Sequence, residues 1–348
     1  MTDTNIDNGL AHSLSYRKEV LQRLFGCIKS VDSFFVIGGA SSGKTRLMDF
    51  ITREEVQEYY LGNRAPTTWL IRVDLNRHHA NEDWNFYELL ISSLMLGCNQ
   101  YENGADIFKQ LVDLDRQVLE SRDFLRALRL FELAVHMICK NLGIDICFLL
   151  DEFDEMYSKL PKEIFDQLRG VRDANKYHVC YGLFLRDLPE RLRAPSDNES
   201  FYELVSQRMI GLGPYSYDDA IRVLQQMEER REFPLTAQWR DAFVVAGGGH
   251  AGLMQALLST RINLSKENEK MKDASWVVKQ EFIKDECDKI WGSLAKEEQA
   301  GLLEALRGNF ENVTPKILKL LTAKGILQNK GDGYEIFSPI FKLYLQEK

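Results

Sequence analysis

The sequence predicts an α/β fold: a parallel sheet with helices on both faces, followed by an all-helical lid and a C-terminal winged-helix domain. Three observations predict it. Short apolar runs of strand type alternate with helical stretches, the pattern of a parallel sheet. The first of these runs passes through a glycine-rich turn directly into a helix. The C-terminal end repeats a rhythm of helices followed by two short strands around an Asp-Gly turn.

Taken in order, residues 1–15 read as a loose N-terminus. From Tyr16 to Ser30, Leu21, Leu24 and Ile28 recur at helical spacing, so a helix precedes the first strand, Phe34-Phe35-Val36-Ile37. Thr68 to Asp74 is the second strand candidate, and a long helical stretch then ends at Asn141-Leu142-Gly143. Ile144 to Leu150 and Val179 to Leu185 are the next strands. The core thus spans 16–213. After Pro214 the character changes. Ser216 and Thr236 are helix caps, glycines 247–249 stop a helix, and another runs from Gly252 to Ile262, giving a lid over 214–262. The charged stretch 263–274 is the linker. The winged-helix domain fills 275–348, with strands near Gly325 to Leu327 and Tyr334 to Phe337 flanking a turn at 329–333.

Composition narrows the class. The 348 residues are 45% hydrophobic and 28% charged, as in ordinary globular domains, and the net charge of −8 argues against a broad nucleic-acid surface. No apolar run is long enough to cross a membrane, and the polar N-terminus does not read as a signal peptide. The six cysteines are scattered without metal-ligand spacing and read as small buried hydrophobes in a reducing compartment, so the expected location is cytoplasmic. His78-His79 lies in a loop with no partner pattern and reads as surface.

The chemistry begins at Gly38-Gly39-Ala40-Ser41-Ser42-Gly43-Lys44-Thr45, which fits G-x-x-x-x-G-K-[ST] between a strand and a helix. Such a loop turns backbone N–H groups toward phosphate oxygens, and the helix N-terminus adds partial positive charge. The core is therefore a P-loop NTPase core, with ATP and Mg²⁺ as cofactors. Lys44 would reach the β- and γ-phosphates, Thr45 would ligate Mg²⁺, and Arg46 follows in the first helical turn. A second signal is Ile146-Cys147-Phe148-Leu149-Leu150-Asp151-Glu152, an apolar strand delivering two carboxylates at its C-terminal end. Asp151 would hold the Mg²⁺ with Thr45, and Glu152 would polarise the attacking water. Asp154 and Glu155 read as helix-start acids. Arg186, after the next strand, would lie where a cation senses the γ-phosphate. Arg208 reads either as an arginine finger for a neighbouring subunit or as a salt-bridged surface side chain. His250, after the glycine run, reads either as a reporter of bound nucleotide or as a plain helix cap.

This order of motifs, with Leu212-Gly213-Pro214-Tyr215-Ser216 opening the lid and Gly248-Gly249-His250-Ala251-Gly252-Leu253 within it, resembles the STAND class of signal-transduction ATPases. More distantly it is similar to AAA+ origin-recognition and helicase-loader proteins. The resemblance covers 16–348. It implies phosphate sensing by Arg186. The family's lid usually carries a proline where Ala251 stands, and the nucleotide-sensing histidine that some members carry in the C-terminal domain has no counterpart here.

Two functional readings stay open. The first is an ATP-driven switch with hydrolysis that is slow without a partner, acting through self-assembly or an effector or sensor protein, in a role such as bacterial defence. The second is a DNA-directed AAA+ ATPase, a loader or transposition regulator, with its winged helix on duplex DNA. Residues 275–348 hold 11 Lys/Arg and 11 Asp/Glu, a net charge of zero, which favours protein contacts. The candidate recognition helix nevertheless carries Lys316, Lys319 and Lys324. A metabolic kinase is disfavoured, because no acceptor-substrate domain is evident.

Overall fold

The computed structural model describes residues 13–75, 82–102, 104–263, 271, 273–331 and 333–348. His78 and His79, the charged run 264–270 and the turn residue Asp332 lie outside the described residues. The chain divides into two compact units, one of Leu21–Ile37 and Thr45–Ile210, the other of Met1–Val20, Gly38–Lys44 and Gly211–Lys348.

The first unit, called here the sheet unit, is built on β1 (Phe34–Ile37), β2 (Thr68–Asp74), β3 (Asp145–Asp151) and β4 (Val179–Leu185), with the short β5 (Met209–Gly211) at the edge. Strand order is β2-β3-β4-β1-β5. β2 pairs parallel with β3, β3 with β4, and β4 with β1. Every residue of β1 and β4 is buried, as expected of parallel strands covered by helices on both faces. β5 escaped the sequence reading because three residues carry no periodicity. The long helical stretch resolves into three helices, Trp84–Cys98, Gly104–Ser121 and Phe124–His136, closed by a π-turn at Met137–Asn141. The core holds a chain of rings. Phe131 meets Phe148 at 5.7 Å, Phe148 meets Tyr181 at 6.0 Å, and Tyr181 meets Phe201 at 5.7 Å. All six cysteines are free thiols, five of them buried.

In the second unit, called the lid unit, Ser216 caps the helix Tyr217–Arg230 and Thr236 caps Ala237–Gly247, as the sequence predicts. Gly248 ends the latter helix in the left-handed region, and Ala251–Asn263 follows. The C-terminal part runs through helices Glu281–Gly292, Lys296–Leu306 and Pro315–Ala323, a hairpin of β6 (Leu327–Lys330) and β7 (Gly333–Ile336), and a last helix Pro339–Gln346. The strands extend into the expected turn, so Asn329 and Lys330 pair with Tyr334 and Gly333. Ser338 Oγ donates to Ala246 O at 2.7 Å, which fastens the last helix to the glycine-rich turn. Among the described residues no helix is long and apolar enough to cross a membrane.

Candidate nucleotide site

The strand order is the first thing the sequence could not supply. With β4 between β3 and β1, the C-terminal ends of these three parallel strands stand side by side. They end in Asp151, in Leu185 just before Arg186, and in Ile37 at the start of the glycine loop. Ligands of open α/β sheets bind along that edge.

In the sheet unit, Asp151 is 6% exposed and its Oδ2 accepts from Arg72 Nη2 at 3.2 Å. The same guanidinium reaches Asp49 on the helix Lys44–Ile51. Asp49 stands four residues after Thr45, one turn along the same helical face. Glu152 adopts φ 49°, a left-handed conformation that costs a non-glycine residue roughly 1–2 kcal/mol. Such strain marks candidate functional positions. Arg186 Nη2 donates to Glu152 Oε1 at 2.8 Å, so the sequence-predicted base and phosphate sensor form an ion pair, both half-exposed.

Asp154 does more than start a helix. Its Oδ1 accepts from the backbone N–H of Arg186 at 2.8 Å and of Asp187 at 3.1 Å, pinning the segment that carries Arg186. Nothing local in the sequence signals this contact, because it joins two chain segments 32 residues apart.

Arg208 is placed otherwise. Its carbonyl accepts from Phe35 N–H, and its Nη2 lies 3.5 Å from Asp32 Oδ2, just ahead of β1. It therefore sits at the edge of the sheet opposite to Asp151 and Arg186, in the salt bridge that was one of its two expected states.

In the lid unit the glycine loop is tightly held. A Cβ at Gly38 would come within 2.6 Å of Ser42 Oγ, and Gly43 has φ +87° with Tyr215 Oη 2.8 Å from where its Cβ would stand. Both positions require glycine. Lys44 Nζ donates to Gly38 O at 2.6 Å and Gly39 O at 3.0 Å, so the ammonium curls back over the loop with only 8% exposure. His250 Nε2 lies 3.1 Å from Ala40 O. Burial, with Arg17 and Lys44 nearby, pushes the His250 pKa down to about 4, so the ring is neutral at pH 7 and donates its Nε2–H to that carbonyl. Arg17, which sequence reasoning missed, donates from Nη1 to Gly213 O at 2.7 Å and from Nη2 to Ser42 O at 2.8 Å. Its guanidinium stands 4.1 Å from the Tyr215 ring centroid. A lone arginine ahead of the first helical stretch gives no pattern that would reveal this.

One C-terminal lysine departs from the expectation. Lys324 is not part of a basic face: its Nζ lies 2.8 Å from Glu298 Oε1, with both side chains fully buried. A helix C-cap beside a buried carboxylate takes its charge out of reach of any phosphate. Lys316 and Lys319 stay exposed.

A Walker-type ATPase of Pyrococcus abyssi superposes with a TM-score of 0.51 at 15% identity, covering 95% of each chain. The ORC2 protein of Aeropyrum pernix in its ADP form gives 0.51 at 14% identity, over 99% of this chain and 96% of that one. The chain therefore shares the fold of these two proteins. A STAND protein of Pyrococcus horikoshii with a tetratricopeptide repeat sensor matches at a TM-score of 0.33 and 15% identity, over 94% of this chain and 42% of that one, too low to carry weight. No protein-family model matches the sequence, and no curated protein matches it. Identities this low speak for a shared fold alone, while roles must come from the residues.

Those residues fit Mg²⁺ and a polyphosphate. A buried carboxylate and a helix-start hydroxyl are hard oxygen donors of the kind Mg²⁺ takes when phosphates and water complete its shell. Among the described residues no cluster of three or more His, Cys, Asp or Glu could hold a metal unaided.

Proposed function

We propose that the chain is an ATP-binding and ATP-hydrolysing molecular switch dependent on Mg²⁺. One observation carries this reading: the loop that would hold the phosphates is bonded to the lid. His250 meets Ala40 O, and Arg17 joins Ser42 O to Gly213 O. A change in what the loop holds therefore reaches the lid through three hydrogen bonds and the glycine turn fastened by Ser338. A packed element of this kind can take a ligand-dependent arrangement.

In this reading Gly38 to Thr45, with Arg46, cradle the phosphates, Thr45 and Asp151 hold Mg²⁺, and Glu152 is the general base. Arg186 occupies Glu152 until a γ-phosphate draws the guanidinium away, so the base becomes available when ATP is bound. Bound Mg²⁺ would supply charge neutralisation at the phosphates; the residues supply positioning. Output passes through self-assembly or a protein partner, with Arg208 offered to a neighbouring copy after leaving Asp32. The DNA-directed alternative is weakened by the burial of Lys324, which leaves Lys316 and Lys319 as the exposed lysines of that helix.

The test is Glu152→Gln. ATP binding measured by calorimetry should persist, while turnover falls by about 10²–10⁴-fold. Parental turnover in a folded variant would reduce Glu152 to a helix-start acid.

A further inference from the structure

Arg72 stands on the face of β2 that also carries Asp74, and Asp74 is the register partner of Asp151 on β3. Two residues apart on a strand, Arg72 and Asp74 point to the same side. From there the Arg72 guanidinium spans two carboxylates, one on Asp49 and one on Asp151, the latter at 3.2 Å. Asp151 is the buried member, with 8% side-chain exposure, whereas Arg72 keeps 37%. A buried carboxylate needs a positive neighbour, because desolvation otherwise disfavours its charge. An exposed arginine reaching inward meets that need without being locked in.

We propose that Arg72 is the resident counter-ion of Asp151, a positioning residue that the divalent cation must displace. The inference rests on the reading of Asp151 as a Mg²⁺ ligand. Oδ2, the oxygen now held by Arg72, is one that a metal would compete for, and two cations cannot share it without repulsion. When Mg²⁺ arrives with the nucleotide, Arg72 retains Asp49. That residue lies one turn beyond Thr45 on the same helix, so the guanidinium keeps its ion pair to the helix whose first turn carries the other proposed metal ligand. The exchange sets the Mg²⁺ level at which the site loads.

The experiment follows Mg²⁺ dependence and not turnover. Binding of a fluorescent ADP analogue is measured first in EDTA and then across a Mg²⁺ titration, for the parent, Arg72→Gln, Arg72→Lys and Asp151→Asn. Arg72→Gln should lower the Mg²⁺ midpoint by roughly five-fold, the upper range for a half-exposed ion pair. Arg72→Lys keeps the charge and should stay near the parent, and affinity in EDTA should be similar for the parent and both Arg72 variants. A midpoint for Arg72→Gln that is unchanged or raised, while Asp151→Asn loses Mg²⁺ dependence, overturns the inference alone. Asp151→Asn with parental Mg²⁺ dependence overturns the metal reading and the inference with it. A lysine variant that behaves like the glutamine variant also counts against it, since charge is the proposed agent.

Discussion

Arg17→Ala probes the bond between the phosphate loop and the lid. The side chain is 7% exposed and gives two hydrogen bonds, to Gly213 O and Ser42 O, while its guanidinium lies over Tyr215. Hydrogen bonds from a charged donor contribute roughly 1.5–3 kcal/mol each, and a buried cation–π contact about 0.5–2 kcal/mol. The simple sum is roughly 3.5–8 kcal/mol. Groups sharing one guanidinium are not additive, and relief from desolvating that cation offsets part of the loss. A net cost near 3–4 kcal/mol follows, a fall in Tm of roughly 6–16 °C for units of this size. ATP affinity should fall as well, because Ser42 loses its anchor.

A control separates the contacts from the backbone. Arg17 has φ 47°, so Arg17→Gly removes the same contacts yet relieves about 1 kcal/mol of left-handed strain; it should melt above the alanine variant. Scanning calorimetry and ATP titration read both quantities. If Arg17→Ala melts within a degree of the parent and binds ATP equally well, the loop is not held by the lid as described.

Two further outcomes are expected. His250 has its pKa lowered to about 4 by burial, against about 6.5 in an unfolded chain. Its neutral form is favoured in the fold, so stability is complete above pH 6.5 and is lost as pH falls toward 4, by about 3 kcal/mol in all; His250→Gln should flatten that part of the melting-versus-pH curve. Lys324→Met should cost about 3–5 kcal/mol by stranding the Glu298 carboxylate, while Lys324→Met with Glu298→Leu should recover most of it in urea melts.

Strands β1 to β4 and the lid caps Ser216 and Thr236 were legible because long apolar runs and cap residues act locally. The glycine loop was legible because its chemistry is contiguous, eight residues in one turn. What stayed hidden depends on chain segments far apart. Strand order, the Asp154 hold on Arg186 and Arg17 beneath Ser42 come from tertiary packing that no window of sequence contains. Lys324 was misread for the same reason: beside Lys316 and Lys319 it looks like one charge in a row, and only Glu298, 26 residues away, turns it inward. The Arg208 pairing with Asp32 likewise follows from β5 lying beside β1, a strand too short to predict.

The central claim is that this chain holds ATP through the loop at Lys44, and one calorimetric titration tests it most directly. Mg²⁺-ATP is titrated into the parent and into Lys44→Ala, with melting curves to show that the variant is folded. Lys44 bonds to Gly38 and Gly39 within its own loop, so its loss should cost roughly 1.5–3 kcal/mol per bond before the relief from desolvating the ammonium is subtracted, and leave the sheet intact. Loss of a charged donor to the phosphates should weaken ATP binding roughly 100-fold. Equal affinity in a folded Lys44→Ala, or no measurable ATP binding by the parent, would contradict the account.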